Sequence, residues 1–422
     1  MSRLVETVFP RRLGISFRWL VASSWATNLG DGLMMAAGPL LVASQTRNPL
    51  LVAAAAMSFQ LPWLVFGLLA GAMADRLDRR VLVMVMDAAR AVVLVGLCMV
   101  IVTEQVNIWF VMVAMFLVGL AEVFADSATN TLVPMLVDKA DLGVANARIQ
   151  VGFLTANHLV GPALGAVIFA AGMAYPFLIQ TVCVVLGVVL VSRITTPRGA
   201  VRDDVETHVR QDIAEGVRWL AANGPVRTLA LVIVAFNITW AAPWSVLVLW
   251  ATERVGIDEA GFGLLTTASA LGGLLGTLLF GRIEKRVPLG TLMRTVLACE
   301  VVFHLAMALT TSSYAAYTLM FFFGAYTFIW GTLSQAVRQR AVPAEFQGRV
   351  GSVYMLCVMG GMLGGSLIGG LIARQWGVNA PWWFAFVGSG LTLALVWRQL
   401  AKIAHADEVA SAHVPGERLP GS

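Results

Sequence analysis

The sequence predicts an all-helical integral membrane protein with twelve transmembrane helices in two six-helix bundles. Three observations carry that prediction. First, 58% of its 422 residues are hydrophobic and only 13% are charged, about half the charge of an ordinary soluble domain. One crossing needs roughly 20 mostly apolar residues, which leaves room for about twelve. Second, the basic residues segregate to one side of those crossings. Third, the two halves of the chain echo each other. The composition excludes a soluble enzyme, a disulfide-stapled secreted scaffold and a disordered chain.

Cutting the chain at charges and turn residues places the spans at 17–43, 50–74, 81–102, 107–129, 146–171, 176–194, 227–250, 261–281, 290–310, 314–336, 350–373 and 379–399. Residues 1–16 form an N-terminal tail. Arg3, Arg11, Arg12 and Arg18 precede an apolar run too long for a signal-peptide core, so that run is read as a retained first span. The longest polar connection is 195–226. There Val209, Ile213, Val217 and Leu220 share one helical face while charged residues occupy the others. That pattern predicts an amphipathic helix on the cytoplasmic membrane surface. It divides the chain into bundles at 17–194 and 227–400, and residues 401–422 read as a disordered tail.

With the N-terminus inside, 25 of the 29 Lys and Arg residues fall on the cytoplasmic side. Arg47, Arg254 and Arg374 fall outside, and Arg90 lies within a span. That bias predicts cytoplasmic termini and an even number of spans. It also accounts for the net charge of +5 without any nucleic-acid partner. Cys98, Cys183, Cys299 and Cys357 each stand alone in apolar sequence, which argues against a metal site or a disulfide framework. The repeat is local but clear. Asp75-Arg76-Leu77-Asp78-Arg79-Arg80 follows span 2, and Gly281-Arg282-Ile283-Glu284-Lys285-Arg286 follows span 8, 206 residues later. Internal repetition in a membrane chain points to a transporter that handles its substrate between the halves.

The segment from Gly71 to Arg80 resembles the major facilitator superfamily loop motif G-x-x-x-D-R-x-G-R-R, with Asp78 in place of the usual glycine. Gly161-Pro162-Ala163-Leu164-Gly165-Ala166 resembles the G-P-x-x-G-G end of the antiporter motif in that superfamily's exporters. Ala166 replaces the last glycine, and Asn157 stands where an earlier one is expected. Pro134 through Asn146, Asp212 through Arg218, and Gln347-Gly348-Arg349-Val350 resemble the macrolide-efflux and siderophore-exporter branch. The resemblance implies the major facilitator fold and a proton-driven exporter with alternating access. Spans 1, 4, 7 and 10 would line the cavity, and spans 3, 6, 9 and 12 would lie outside. It also implies a cytoplasmic latch from Asp75, Arg76, Arg79 and Arg80. Asp126 would pair with Arg79 or Arg80, and Asp75 would face the N-terminal end of span 11.

Ionisable side chains inside a bilayer are costly and point to function. Those within spans are Asp31, Asp87, Arg90, Glu122, Asp126, Glu300 and His304, with His158 as a polar neighbour. Asp31 lies mid-span between Gly30 and Gly32, which permit close approach of another helix or a ligand. Protonated it is neutral, and ionised it attracts a cation. One group can therefore set proton and substrate in competition, although a permanent pair with Arg90 is the other reading. Glu122 is the second candidate coupling site. Arg90 needs a carboxylate, and Asp87, Asp31 and Glu122 are available. It either replaces an arginine that family exporters often carry in span 4 or anchors packing. Glu300 with His304, and His158, read as structural.

Asn28, Met34 and Met35 on span 1, Asn237, Trp240 and Trp244 on span 7, and Tyr317, Phe321, Tyr326 and Trp330 on span 10 form the candidate substrate cavity. Such surfaces take varied lipophilic ligands through contact area and cation–π attraction. The excess of inward acid favours cationic or neutral compounds. Glycine runs in spans 8 and 11 read as helix-packing surfaces. The chain has no P-loop lysine, HExxH or GxSxG pattern, so it does not read as an enzyme. The expectation is a proton-coupled exporter of lipophilic, drug-like molecules, powered by the proton-motive force without metal or cofactor. It would sit as a monomer in the cytoplasmic membrane of a bacterium. A dedicated exporter of a siderophore or lipid is the alternative, and an importer a more distant one.

Overall fold

A computed structural model describes residues 11–195, 209–343 and 346–400. Among the described residues there is no strand, and each expected span is helical. Span 1 is Ile15–Gln45, span 2 Pro49–Arg76, span 3 Arg79–Val102 and span 4 Ile108–Leu136. Span 5 runs end to end through Leu142–Gly152, a wide π-helical stretch Phe153–Val160, and Gly161–Ala171. Span 6 is Tyr175–Val191. Span 7 is Gly224–Trp244, broken at Ser245 and Val246 and resumed by Leu247–Leu249 and π-helical Trp250–Val255. Gly256 ends it in the left-handed conformation, φ 73°. Spans 8 to 12 are Glu259–Glu284, Leu289–Leu309, Ser313–Ala341, Gln347–Trp376 and Ala380–Val396.

Nine of the described helices are long and apolar enough to cross a membrane, and spans 6 and 12 are shorter apolar helices. Span 1 has 31 residues and carries Ser23, Ser24, Thr27, Asn28 and Asp31. Helix starts follow capping chemistry. Asn48, Asn107, Asp258 and Ser312 each accept a backbone N–H at the head of their helix. Asp78 does the same for span 3, accepting from Arg80 N at 2.9 Å and Val81 N at 3.2 Å. The departure from glycine in the loop motif is thus an N-cap.

The helix expected in the central connection is Val209–Ala222. It docks on the N-terminal end of span 11. A Cβ on Gly216 would stand 2.7 Å from the Arg349 carbonyl oxygen. Glu215 pairs with Arg349 at 3.1 Å, and Trp219 stacks on Phe346 at 5.8 Å. Residues 196–208 and the tails 1–10 and 401–422 lie outside the described residues.

The repeat is visible in the helix contacts. Gly119 of span 4 lies against the carbonyl of Phe59 in span 2, where a Cβ would meet its oxygen at 2.5 Å. Gly324 of span 10 lies against the carbonyl of Ser269 in span 8. Both glycines stand 11 residues beyond their helix starts at Ile108 and Ser313. Phe59 and Ser269 both stand 10 beyond Pro49 and Glu259. The glycine run of span 11 packs similarly, with Gly361 against Asn237 and Gly365 against Ile238.

The two ends of the molecule differ. The end bearing Arg76, Arg79, Arg80, Arg282, Lys285 and Arg286 is called the basic end below. At the far end one apolar core joins both halves, with Leu40, Val52 and Phe177 meeting Trp250, Phe262, Phe303 and Trp382. At the basic end the cores are separate. One holds Phe17, Leu132 and Val191, and another holds Leu229, Met293 and Leu333. Contacts across the seam include Gly370 against Ala53 and Leu50, and Gly263 against Ala166 and Pro162. Thr267 Oγ1 donates to the Leu159 carbonyl at 3.2 Å, and Arg47 pairs with Glu253 at 3.6 Å.

Candidate functional site

In the first half the site is built around Arg90, whose side chain is only 3% exposed. Its guanidinium pairs with Asp31 of span 1, lies 3.7 Å from Glu122 of span 4, and lies 4.0 Å from Asp87 of its own helix. Gln180 of span 6 donates to Asp31 Oδ1 at 3.3 Å. Asp126 is exposed and stands in the field of Asp87, Glu122 and Arg90. Three carboxylates therefore lie within 4.0 Å of one fixed cation, with Asp126 one turn beyond Glu122. One guanidinium balances one carboxylate, and each further ionised carboxylate at this depth is costly without a counter-charge.

The glycines beside Asp31 admit the neighbouring helices. A Cβ on Gly30 would meet Gln180 Cγ at 3.1 Å. One on Gly32 would meet the carbonyl oxygens of Ala156 and Asn157 at 2.6 Å. Gly161 lies against Gly32, and Gly165 against the Leu33 carbonyl. The antiporter-like segment is thus a seat for span 1 directly beside Asp31. The preceding π-helical turns end at Val160, and Pro162, which has no N–H to continue their ladder, stands in the first turn of the α-helix that follows. Asn157, where a glycine was expected, is buried and donates to Asn28 Oδ1 at 3.4 Å. Asn28 in turn donates to the Ser24 carbonyl at 2.7 Å.

The structure brings Asp31, Asp87, Arg90 and Glu122 together, and sets Asp126 beside them rather than at the loop motif. Arg80 donates to the Ser192 carbonyl at the end of span 6. Arg76 is exposed and Arg79 half-buried at the basic end. The Asp75 side chain lies outside what the structure describes. His158 packs edge-on against Phe153 at 4.8 Å.

In the second half a cavity of about 260 Å³ opens among spans 7, 9, 10 and 11. Span 7 contributes Phe236, Asn237 and Trp240, span 9 Val296, Leu297 and Glu300, span 10 Tyr326, Thr327 and Trp330, and span 11 Met362. Four expected cavity residues, Asn237, Trp240, Tyr326 and Trp330, converge here. Trp244 stacks beyond them, 5.2 Å from Trp240 and 5.3 Å from Phe323. Tyr317 and Phe321 do not join them. Gly261 of span 8 lies against the Tyr317 hydroxyl, and Gly272 lies against the backbone carbonyl of Phe321. Met34 is buried in the far-end core, whereas Met35 is exposed.

Glu300 was expected to serve only as a structural partner of His304. His304 Nε2 does lie 3.4 Å from it, and His304 Nδ1 lies 3.2 Å from Ser389 Oγ. Yet Glu300 also forms part of the cavity wall. Its place on a span read as peripheral concealed that role. Long side chains from spans 3, 6 and 9 (Arg90, Gln180 and Glu300) all reach inward.

The sequence profile of the transmembrane secretion effector family, MFS_3, matches residues 8–420. The chain belongs to this family. It is a major facilitator superfamily efflux transporter, not an enzyme. It is 23% identical to macrolide efflux protein A of Streptococcus pyogenes over 357 residues, 82% of this chain and 85% of that protein. It is 26% identical to the multidrug efflux pump Tap of Mycolicibacterium fortuitum over 364 residues, 83% and 87% of the two chains. It is 24% identical to the enterobactin exporter EntS of Salmonella typhimurium over 350 residues, 81% and 82%. Among solved structures, a bacterial homologue of the iron transporter ferroportin in an inward-facing state superposes with a TM-score of 0.74. It is 17% identical, and the match covers 92% of this chain and 98% of that one. The fold of this transporter is therefore the major facilitator fold, and the Arg90 cluster and the aromatic cavity occupy opposite bundles of it.

Proposed function

We propose that the protein exports lipophilic, cationic or neutral drug-like compounds from the cytoplasm by proton antiport. The observation that carries the reading is the Arg90 cluster, where one guanidinium serves Asp31, Asp87 and Glu122. The uncompensated carboxylate charge needs protons or a cation. A site that takes either can exchange one for the other.

In this reading the basic end faces the cytoplasm, which the distribution of Lys and Arg supports. The separate cores at that end make this the inward-open arrangement, with the far-end core as the closed gate. Substrate enters from the cytoplasm or the inner leaflet, and the bundles rock to open the far end. External protons then neutralise Asp31 or Glu122 and release the substrate. The likeness to macrolide, multidrug and enterobactin exporters supports the outward direction. The enterobactin exporter also supports a second reading, a dedicated exporter of a natural metabolite on the same scaffold.

The test uses inverted membrane vesicles holding the wild type or Asp31→Asn, and follows a fluorescent lipophilic cation under an imposed proton gradient. We expect uncoupler-sensitive accumulation that Asp31→Asn abolishes at unchanged protein level. Identical behaviour of vesicles with and without the protein would remove the polyspecific reading in favour of the dedicated one.

A further inference from the structure

We infer that the cavity of the second half is a binding subsite for the ammonium head of a lipophilic amine, with Glu300 as its counter-ion. The ammonium head then rests at Glu300, while proton exchange at Asp31 or Glu122 in the other half drives its release. This deepens the proposed cation export and rests on it.

Four observations converge. Glu300 is nine-tenths buried, and the side chain paired with it among the described residues is His304, 3.4 Å away. No lysine or arginine among them pairs with it. Asp31 in the other half already has Arg90 against it. A mobile cation therefore finds its vacant counter-charge at Glu300. The walls beside that carboxylate are Trp240, Tyr326 and Trp330, whose ring faces attract alkylammonium groups. Trp240 Nε1 and Thr327 Oγ1 line the same cavity, are shielded from solvent and have no hydrogen-bond partner among the described residues. Such atoms are ordinarily satisfied, so the cavity keeps polar atoms for a ligand to meet. The volume of about 260 Å³ is below the roughly 300–1,000 Å³ of a site that encloses a whole drug-sized ligand. It suits one ring and an ammonium head, leaving the remainder of a longer molecule outside.

The experiment is equilibrium binding to the purified full-length protein in nanodiscs. The probes are radiolabelled benzyldimethyloctylammonium and a neutral amide of similar shape, N-octylphenylacetamide. We expect Glu300→Gln to weaken the cation about tenfold or more while shifting the amide less than about twofold. Glu300→Asp, which keeps the charge on a shorter stem, should fall between. Trp330→Leu should weaken the cation about three- to fivefold. These two variants carry the test should Glu300→Gln fail to give a monodisperse protein. Cation binding that is insensitive to Glu300→Gln and lost in Asp31→Asn overturns the inference and leaves cation export standing. Equal weakening of both probes also overturns it, because it marks a packing role. A wild type that binds neither probe overturns the inference together with the reading beneath it.

Discussion

The two bundles share a scaffold and differ in what they bury. Both close spans 2 on 4 and 8 on 10 through a glycine set against a carbonyl, Gly119 on Phe59 and Gly324 on Ser269. The third helix of each bundle carries an inward acid. In the first half Asp87 sits one turn before Arg90, which is bound to acids from two other helices. In the second half Glu300 has a histidine instead. The repeat preserves backbone geometry and leaves the polar interior free to diverge. The fixed cation makes the first cluster a structural clasp as well as a chemical site, whereas Glu300 clasps nothing of fixed charge.

That contrast can be tested by removing one group at a time. The largest effect belongs to Arg90→Leu, which strips the counter-charge from acids on spans 1, 3 and 4. We expect a loss of about 3–5 kcal/mol, the cost of breaking a buried ion pair from one side, read by denaturant unfolding in mixed micelles. Adding Asp31→Asn and Glu122→Gln should restore folding but not transport. If the triple variant is no more stable than Arg90→Leu alone, the clasp is not electrostatic.

Next come the glycine seams. Gly119→Val and Gly324→Val should each cost about 1–3 kcal/mol or more, as overpacking does, and by similar amounts in thermal unfolding. A large effect at one and none at the other would break the equivalence of the halves. Smaller still is Asn157→Ala, expected to cost about 1 kcal/mol for a net hydrogen bond. It should slow transport in vesicles by releasing span 5 from Asn28. Smallest is Arg47→Ala, which removes an exposed pair across the far end. It should change stability by less than about 1 kcal/mol, and the difference should vanish at high salt.

The spans were legible because each is an apolar run cut by charge, and their observed bounds fall within a few residues of those read from sequence except where spans 4, 7 and 10 extend further. The partners of Arg90 were legible too, since few acids in the spans could answer a buried guanidinium. The composition of the cavity was less so. Tyr317 and Phe321 are four residues apart and share a face, as are Tyr326 and Trp330. From Phe321 to Tyr326 is five residues, a turn of about 140° at 100° per residue. One run of aromatics therefore serves two surfaces, the span 8 seam and the cavity. The break in span 7 and the π-turns of span 5 leave only local traces, Pro243 and Pro162. The docking of the central helix was hidden because an amphipathic face suits a helix end as well as a lipid surface.

The seam at the far end has a consequence for the speed of the machine. Beside its large apolar side chains it has contacts between small residues, Gly370 on Ala53 and Gly263 on Ala166. Contacts of that size hide little surface from water, and the free energy of separating them scales with that surface, about 25 cal/mol per Å². A gate faced with leucine and phenylalanine at these points would hold harder and open less often. Glycine and alanine lessen the hold at these two points and leave the larger side chains of the far-end core to set the rest of the barrier.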